Sequence, residues 1–184
     1  AFNGCTSLET FYGTGNSYYS IDDNRGLIIN GTTLLAYAAG NSATSYSIPE
    51  GVTSIEKYAF YGCSGLTSIT LPSKLTSIGN NAFQSCNGLT SITIPEGVTS
   101  IGTSTFFSCS NLASISLPDN LISIGNSAFS GCSSLTSITI PEGVTSIGSQ
   151  AFYSCRKLTE ITINGNISTL GSSAFSGCAN LTKS

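Results

Sequence analysis

Seven cysteines and a dense population of serine and threonine are the side chains of this 184-residue sequence best suited to chemistry. Cys63, Cys86, Cys109, Cys132, Cys155 and Cys178 fall 23 residues apart, and Cys5 stands before them. Thiols can form disulfides, bind metal or act as nucleophiles, and each role needs a partner. The sequence has no His, which removes Ser–His and Cys–His activation of a nucleophile. Zinc would need ligands converging from several directions, which one repeated column does not supply. The acids are few, with Glu9, Glu56 and Glu160 in different phases of the period. No glycine-rich phosphate loop follows a strand and opens a helix. These residues point to a non-enzymatic protein, with no catalytic residue, no cofactor and no metal.

The elements that must position these residues follow from the 23-residue period. The segment Leu89 to Phe106 shows it well: Leu89, Ile92 and Ile94 form an LxxIxI strand that Pro95 ends. Val98 and Ile101 make a returning run, and Phe106 and Cys109 close the coil, with Thr105-Phe106 replacing the usual Ala-Phe. Strand positions of neighbouring coils should stack about 4.8 Å apart. Disulfides span Cα separations of about 4.4 to 6.8 Å, so distance alone permits them. The odd number of cysteines and their common inward direction favour a ladder of buried free thiols acting as small hydrophobes. A period of 20 to 29 residues with this spacing predicts a leucine-rich-repeat solenoid, right-handed and curved, with a parallel β-sheet on its concave face.

The turn after the strand reads Pro-x-x, replaced by Asn164-Gly165-Asn166 in the last coil, and its third position is Gly51, Lys74, Gly97, Asn120, Gly143 or Asn166. Gly and Asn there predict a positive-φ turn, which would leave Lys74 modestly strained. The turns also alternate. Pro-Glu-Gly-Val recurs at residues 49, 95 and 141, while Pro-Ser-Lys-Leu and Pro-Asp-Asn-Leu start at 72 and 118, so a 46-residue pair is the natural unit of duplication. The acids of this turn column, Glu96, Asp119 and Glu142, are read as a solvated edge rather than a calcium site.

The period fails between Cys5 and Cys63. Residues 11–48 are therefore expected to form one expanded coil, and residues 49–184 the regular repeats, within a single solenoid fragment spanning 1–184. The chain starts and stops within the repeat phrase, so the sequence is expected to be a piece of a longer solenoid. The irregular stretch holds five of the eight tyrosines. Gly26 to Ile29, the Asn30-Gly31 turn and Thr32 to Tyr37 read as a β-hairpin projecting from the solenoid. Tyr18, Tyr19 and Tyr37 are then candidates for a protruding contact. Asp22-Asp23-Asn24 is read as a turn.

The phrase Leu135 to Cys155, LTSITIPEGVTSIGSQAFYSC, resembles the BspA-like, treponemal-type branch of leucine-rich-repeat proteins. The stretch Asp23 to Ile29, followed by Tyr46-Ser47-Ile48-Pro49, is similar to a variant coil of the same family, although Gly26 stands where such coils often carry Cys. The resemblance covers nearly the whole chain. It implies a secreted or outer-surface bacterial protein, adhesin-like, binding host matrix protein or another cell, with no catalytic residues to carry over.

The outward strand positions form two columns that would pave the sheet with hydroxyls: Ser68, Ser91, Ser114, Ser137 and Glu160, and Thr70, Thr93, Ser116, Thr139 and Thr162. They are the candidate ligand surface, for a protein or carbohydrate partner. The columns lack the aromatic and Arg anchors of binding hot spots, so a single coil would bind weakly. The alternative is a structural spacer presenting other domains of a longer surface protein; ice binding is disfavoured by the curved sheet. A net charge of -3 with 8% charged residues gives no footprint for nucleic acid. No apolar run approaches the roughly 20 residues of a membrane span. The expected state is a monomer, or weak end-to-end association.

Overall fold

The 23-residue spacing puts equivalent residues of successive coils directly above one another, and the main chain wraps into a solenoid of parallel strands. The structure, a computed structural model, describes residues 5–12, 19–22, 25–29 and 32–181. The LxxIxI phrases form the front strands β4 (Ser45–Ser47), β6 (Ser68–Thr70), β8 (Ser91–Thr93), β10 (Ser114–Ser116), β12 (Ser137–Ile140) and β14 (Glu160–Ile163). The returning phrases form β5 (Ser54–Ile55), β7 (Ser77–Ile78), β9 (Ser100–Ile101), β11 (Ser123–Ile124), β13 (Ser146–Ile147) and β15 (Thr169–Leu170). Registers are locked at 23, as in Ser114↔Ser91 and Ser123↔Ser100. A slip by one residue would turn every buried Ile out to solvent.

The core is a set of ladders running along the solenoid. Phe60, Phe83, Phe106, Phe129, Phe152 and Phe175 stack face to face, with centroids 5.1–5.5 Å apart and planes within 16°. Such stacks contribute about 0.5–1.5 kcal/mol per pair beyond area burial. The cysteine ladder lies beside it. Cys63 to Cys155 are buried free thiols and Cys178 is half-buried. They do more than fill space: each Sγ from Cys86 onward donates to the carbonyl of the Phe 26 residues earlier, at 3.0–3.2 Å. The Phe60 carbonyl thus accepts both the Cys63 amide and the Cys86 thiol. Burial pushes the Cys86, Cys109 and Cys132 thiols well up, which keeps the donating proton in place. Thr105, fully buried where other coils have Ala, donates its hydroxyl to the Gly102 carbonyl at 3.0 Å.

The Pro-x-x turn departs from expectation. None of Gly51, Lys74, Gly97, Asn120, Gly143 and Asn166 is at positive φ, so Lys74 carries no strain of that kind. Glycine is favoured there by lack of room: a Cβ on Gly97 would lie 2.5 Å from the Leu75 carbonyl oxygen, and one on Gly143 2.9 Å from that of Leu121. The left-handed residues sit instead around the Phe turn. One column is Tyr58, Asn81, Ser104, Ser127, Gln150 and Ser173 (φ 53–63°); the other runs Gly62, Ser85, Ser108, Gly131, Ser154 and Gly177 (φ 58–79°). Recurrent Gly in the second column, at three of its six positions, was its sequence signal, since only glycine adopts that backbone without cost.

At the N-terminal side, β1 (Tyr19–Asp22), β2 (Gly26–Ile29) and β3 (Thr33–Tyr37) form an antiparallel meander. The expected pairing of residues 26–29 with 33–37 is present; the Asn30-Gly31 turn lies outside the described residues. The hairpin does not project. β3 pairs in parallel with β5, so the meander continues the returning sheet in the order β1-β2-β3-β5-β7. The 23-residue register also reaches back into the segment expected to be irregular. Ala36-Tyr37 is the Ala-Phe of that coil: the Tyr37 amide donates to the Ala59 carbonyl as the Phe60 amide does to that of Ala82. Tyr46 likewise stands opposite Ile69.

Candidate binding surface

The front sheet owes its outward columns to strand alternation: in β6 and β8 the central Ile is buried while the flanking Ser and Thr are exposed. All ten predicted surface residues, Ser68 to Thr162, are exposed on this one face. Ser45 and Ser47 in β4 extend the columns by one coil. Sequence reading missed them because Tyr46 replaces the usual Ile, although the spacing of 23 from Ser68 and Thr70 was the available signal.

The tyrosine contact is corrected. Tyr37 is only 4% exposed, because it occupies the Phe position of its coil and stacks on Phe60 at 5.4 Å. Tyr18 lies outside the described residues, and for Tyr19 only the backbone, in β1, is described. Tyr46 is also buried, 4.8 Å from the Tyr37 ring, with the Arg25 guanidinium 5.5 Å above it.

The front sheet is not uniform. β4 and β6 pair over three residues, β8 and β10 over three, and β12 and β14 over four. Between these pairs the ladder thins to one residue pair, Ser68↔Ser91, and no ladder joins β10 to β12 among the described residues. The Ile48 amide bonds the Thr70 carbonyl, and the Ile94 amide that of Ser116, both at 3.0 Å. The equivalent bonds from Leu71 to Thr93 and from Leu117 to Thr139 are not made among the described residues.

The acidic turns brace the same pairs. Ser73 donates to the Glu50 carboxylate at 3.3 Å and the Asp119 amide to that of Glu96 at 3.1 Å. On this face the 46-residue alternation is thus physical: the front strands are bound in twos, with a slot between successive twos. One slot of about 300 Å³ lies between β6 and β8, and one of about 260 Å³ between β10 and β12. Among the described residues no three His, Cys, Asp or Glu converge as a metal set, and no helix is long and apolar enough to cross a membrane.

The family described as BspA type leucine-rich-repeat region matches residues 35–133 and 107–184, in six copies. The chain belongs to that family. Its first matched residue agrees with the recovered register at Ala36-Tyr37. A leucine-rich-repeat protein from Bacteroides ovatus is 35% identical with a TM-score of 0.72, over 82% of this chain and 39% of that one. The Treponema pallidum leucine-rich-repeat protein is 26% identical with a TM-score of 0.67, over 94% of this chain and 92% of that one. A leucine-rich cell surface protein from Faecalibacterium prausnitzii is 30% identical with a TM-score of 0.57, over 86% of this chain and 46% of that one. The chain therefore spans less than half of the Bacteroides and Faecalibacterium proteins. No curated protein matches it. Leucine-rich-repeat solenoids of this kind are typically non-enzymatic binding scaffolds.

Proposed function

We propose that this chain is a non-enzymatic binding module of a bacterial cell-surface or secreted protein, adhesin-like, engaging host matrix protein, another cell or a glycan through the front sheet. The observation that carries the reading is the continuous exposed hydroxyl face from Ser45 to Thr162 on a rigid stacked core. Small neutral side chains admit close approach of a partner backbone, and repetition supplies avidity where single contacts are weak. The test is capture of immobilised matrix proteins and a glycan array by the wild type, by Ser114→Arg/Thr139→Arg on the front face, and by Ser100→Arg on the returning sheet. Binding lost only in the front-face variant is expected. Empty capture in both formats, or equal loss in the returning-sheet variant, sinks the reading. The spacer alternative predicts that deleting one 46-residue pair shortens reach without lowering affinity.

A further inference from the structure

The two slots of the front sheet are copies of one another. The first is rimmed by Ser68, Thr70, Ser91 and Thr93, with half-buried Leu71 and Pro95 as its apolar floor, while the Ile69 and Ile92 side chains turn into the core. Adding 46 to each number gives the second: a rim of Ser114, Ser116, Ser137 and Thr139 over Leu117 and Pro141, with Ile115 and Ile138 packed into the core. Only Asp119 and Asn164 are added, where the second slot runs on toward Glu142 and Gly143. Each slot opens where a ladder bond is missing, so each leaves a backbone amide (Leu71, Leu117) and a backbone carbonyl (Thr93, Thr139) unjoined to one another. A slot therefore offers one amide donor, one carbonyl acceptor, four hydroxyls and an apolar floor. Neither floor nor rim carries an aromatic ring on which a sugar could stack, and the first slot carries no charge.

Two coils separate the slots, which at the 5.2 and 5.5 Å steps of the Phe83, Phe106 and Phe129 stack is about 10–11 Å along the solenoid axis. One turn of a polyproline II chain, three residues, is about 9.3 Å, and its side chains at i and i+3 point the same way. A β-extended chain turns residue i+3 to the opposite side. A polyproline II backbone also makes no internal hydrogen bonds, so its peptide groups are free for the unjoined amide and carbonyl. The geometry points to an uncharged peptide in the polyproline II conformation, lying across the strands, as the ligand of this face. A small apolar residue enters each slot at every third position. This rests on the front-sheet binding reading and specifies its partner as an extended peptide rather than a glycan.

The test is titration of the ¹⁵N-labelled protein with an acetylated, amidated (Val-Pro-Pro)4 peptide, with (Val-Pro)6 and cellohexaose as comparisons. Saturable shifts of both the Leu71 and Leu117 amides are expected, with (Val-Pro-Pro)4 binding at least about fivefold tighter than the out-of-phase (Val-Pro)6, through two-site avidity. Ser91→Trp, a strand-compatible change at an exposed rim, should erase the Leu71 shift, keep that of Leu117 and weaken binding at least about fivefold. Equal affinity for the two peptides, unmoved amides, or shifts with cellohexaose alone would each overturn the proposal. If the matrix or glycan capture above succeeds while the peptide moves neither amide, the slots fail and the front-face reading stands. If capture fails as well, both fall.

Discussion

Replacing Phe106 by Ala tests whether the aromatic ladder holds the coils together or only fills each one. Phe106 is fully buried, with Phe83 5.2 Å away at 5° on one side and Phe129 5.5 Å away at 2° on the other. Burial and cavity terms for Phe→Ala run about 3–5 kcal/mol, and two lost stacking contacts add to that, so about 4–8 kcal/mol is expected. Against a whole-domain stability of about 5–15 kcal/mol, such a loss at mid-ladder should uncouple the coils on either side. Phe175→Ala is the comparison: that ring is half-buried and stacks on Phe152 alone among the described residues, so about 2 kcal/mol is expected. Urea unfolding followed by far-ultraviolet circular dichroism reads both. The central variant should give a broadened or two-step transition, and the peripheral one a modest shift of a single midpoint. Equal costs at the two positions would refute the reasoning, because the ring energy would then lie within each coil rather than between them.

Gly97→Ala should destabilise by about 2–3 kcal/mol, since its Cβ would meet the Leu75 backbone carbonyl at 2.5 Å and neither side can yield. Gly131→Ala, strained by its left-handed φ of 78° and meeting nothing nearer than the Ser108 Oγ at 3.3 Å, should cost about 1 kcal/mol in the same assay; the reverse order would contradict the close-approach account. The thiols should separate by reactivity. Cys178 is half-buried and within reach of reagent, whereas Cys109 is buried and burial pushes its thiol well up. A raised pKa keeps Cys109 protonated at neutral pH. Iodoacetamide alkylation of Cys178, mapped by mass spectrometry, should therefore proceed in the native state. Cys109 should stay unmodified until the chain unfolds, and equal native rates at the two sites would refute the assignment.

The hairpin and the tyrosines show how far local signals reach. Residues 26–29 and 33–37 pair as their alternation and turn signal imply, because a hairpin is decided by neighbours in sequence. Tyr37 was misplaced by the same local reading. Its type suggests a contact surface, yet its distance of 23 from Phe60 puts it in the Phe ladder. The break in the cysteine spacing hid that register, since Gly40 stands where the coil's cysteine would be. The turn glycines failed similarly. Composition at Gly97 fits either a positive φ or a close neighbour, and only the carbonyl of the preceding coil distinguishes them.

A strict 23-residue period set the coil length, the inward residues and the outward hydroxyl columns, because one register buries the ladder positions of Ile and Phe. The sequence also carried the 46-residue alternation of turns, though not its consequence. Tertiary structure alone decided that the front strands bond in pairs, that thiols donate to carbonyls of the preceding coil, and that slots open between the pairs. These depend on which backbone groups meet across stacked coils. That is a matter of fractions of an ångström at contacts 23 residues apart, and no local pattern of residue types encodes it.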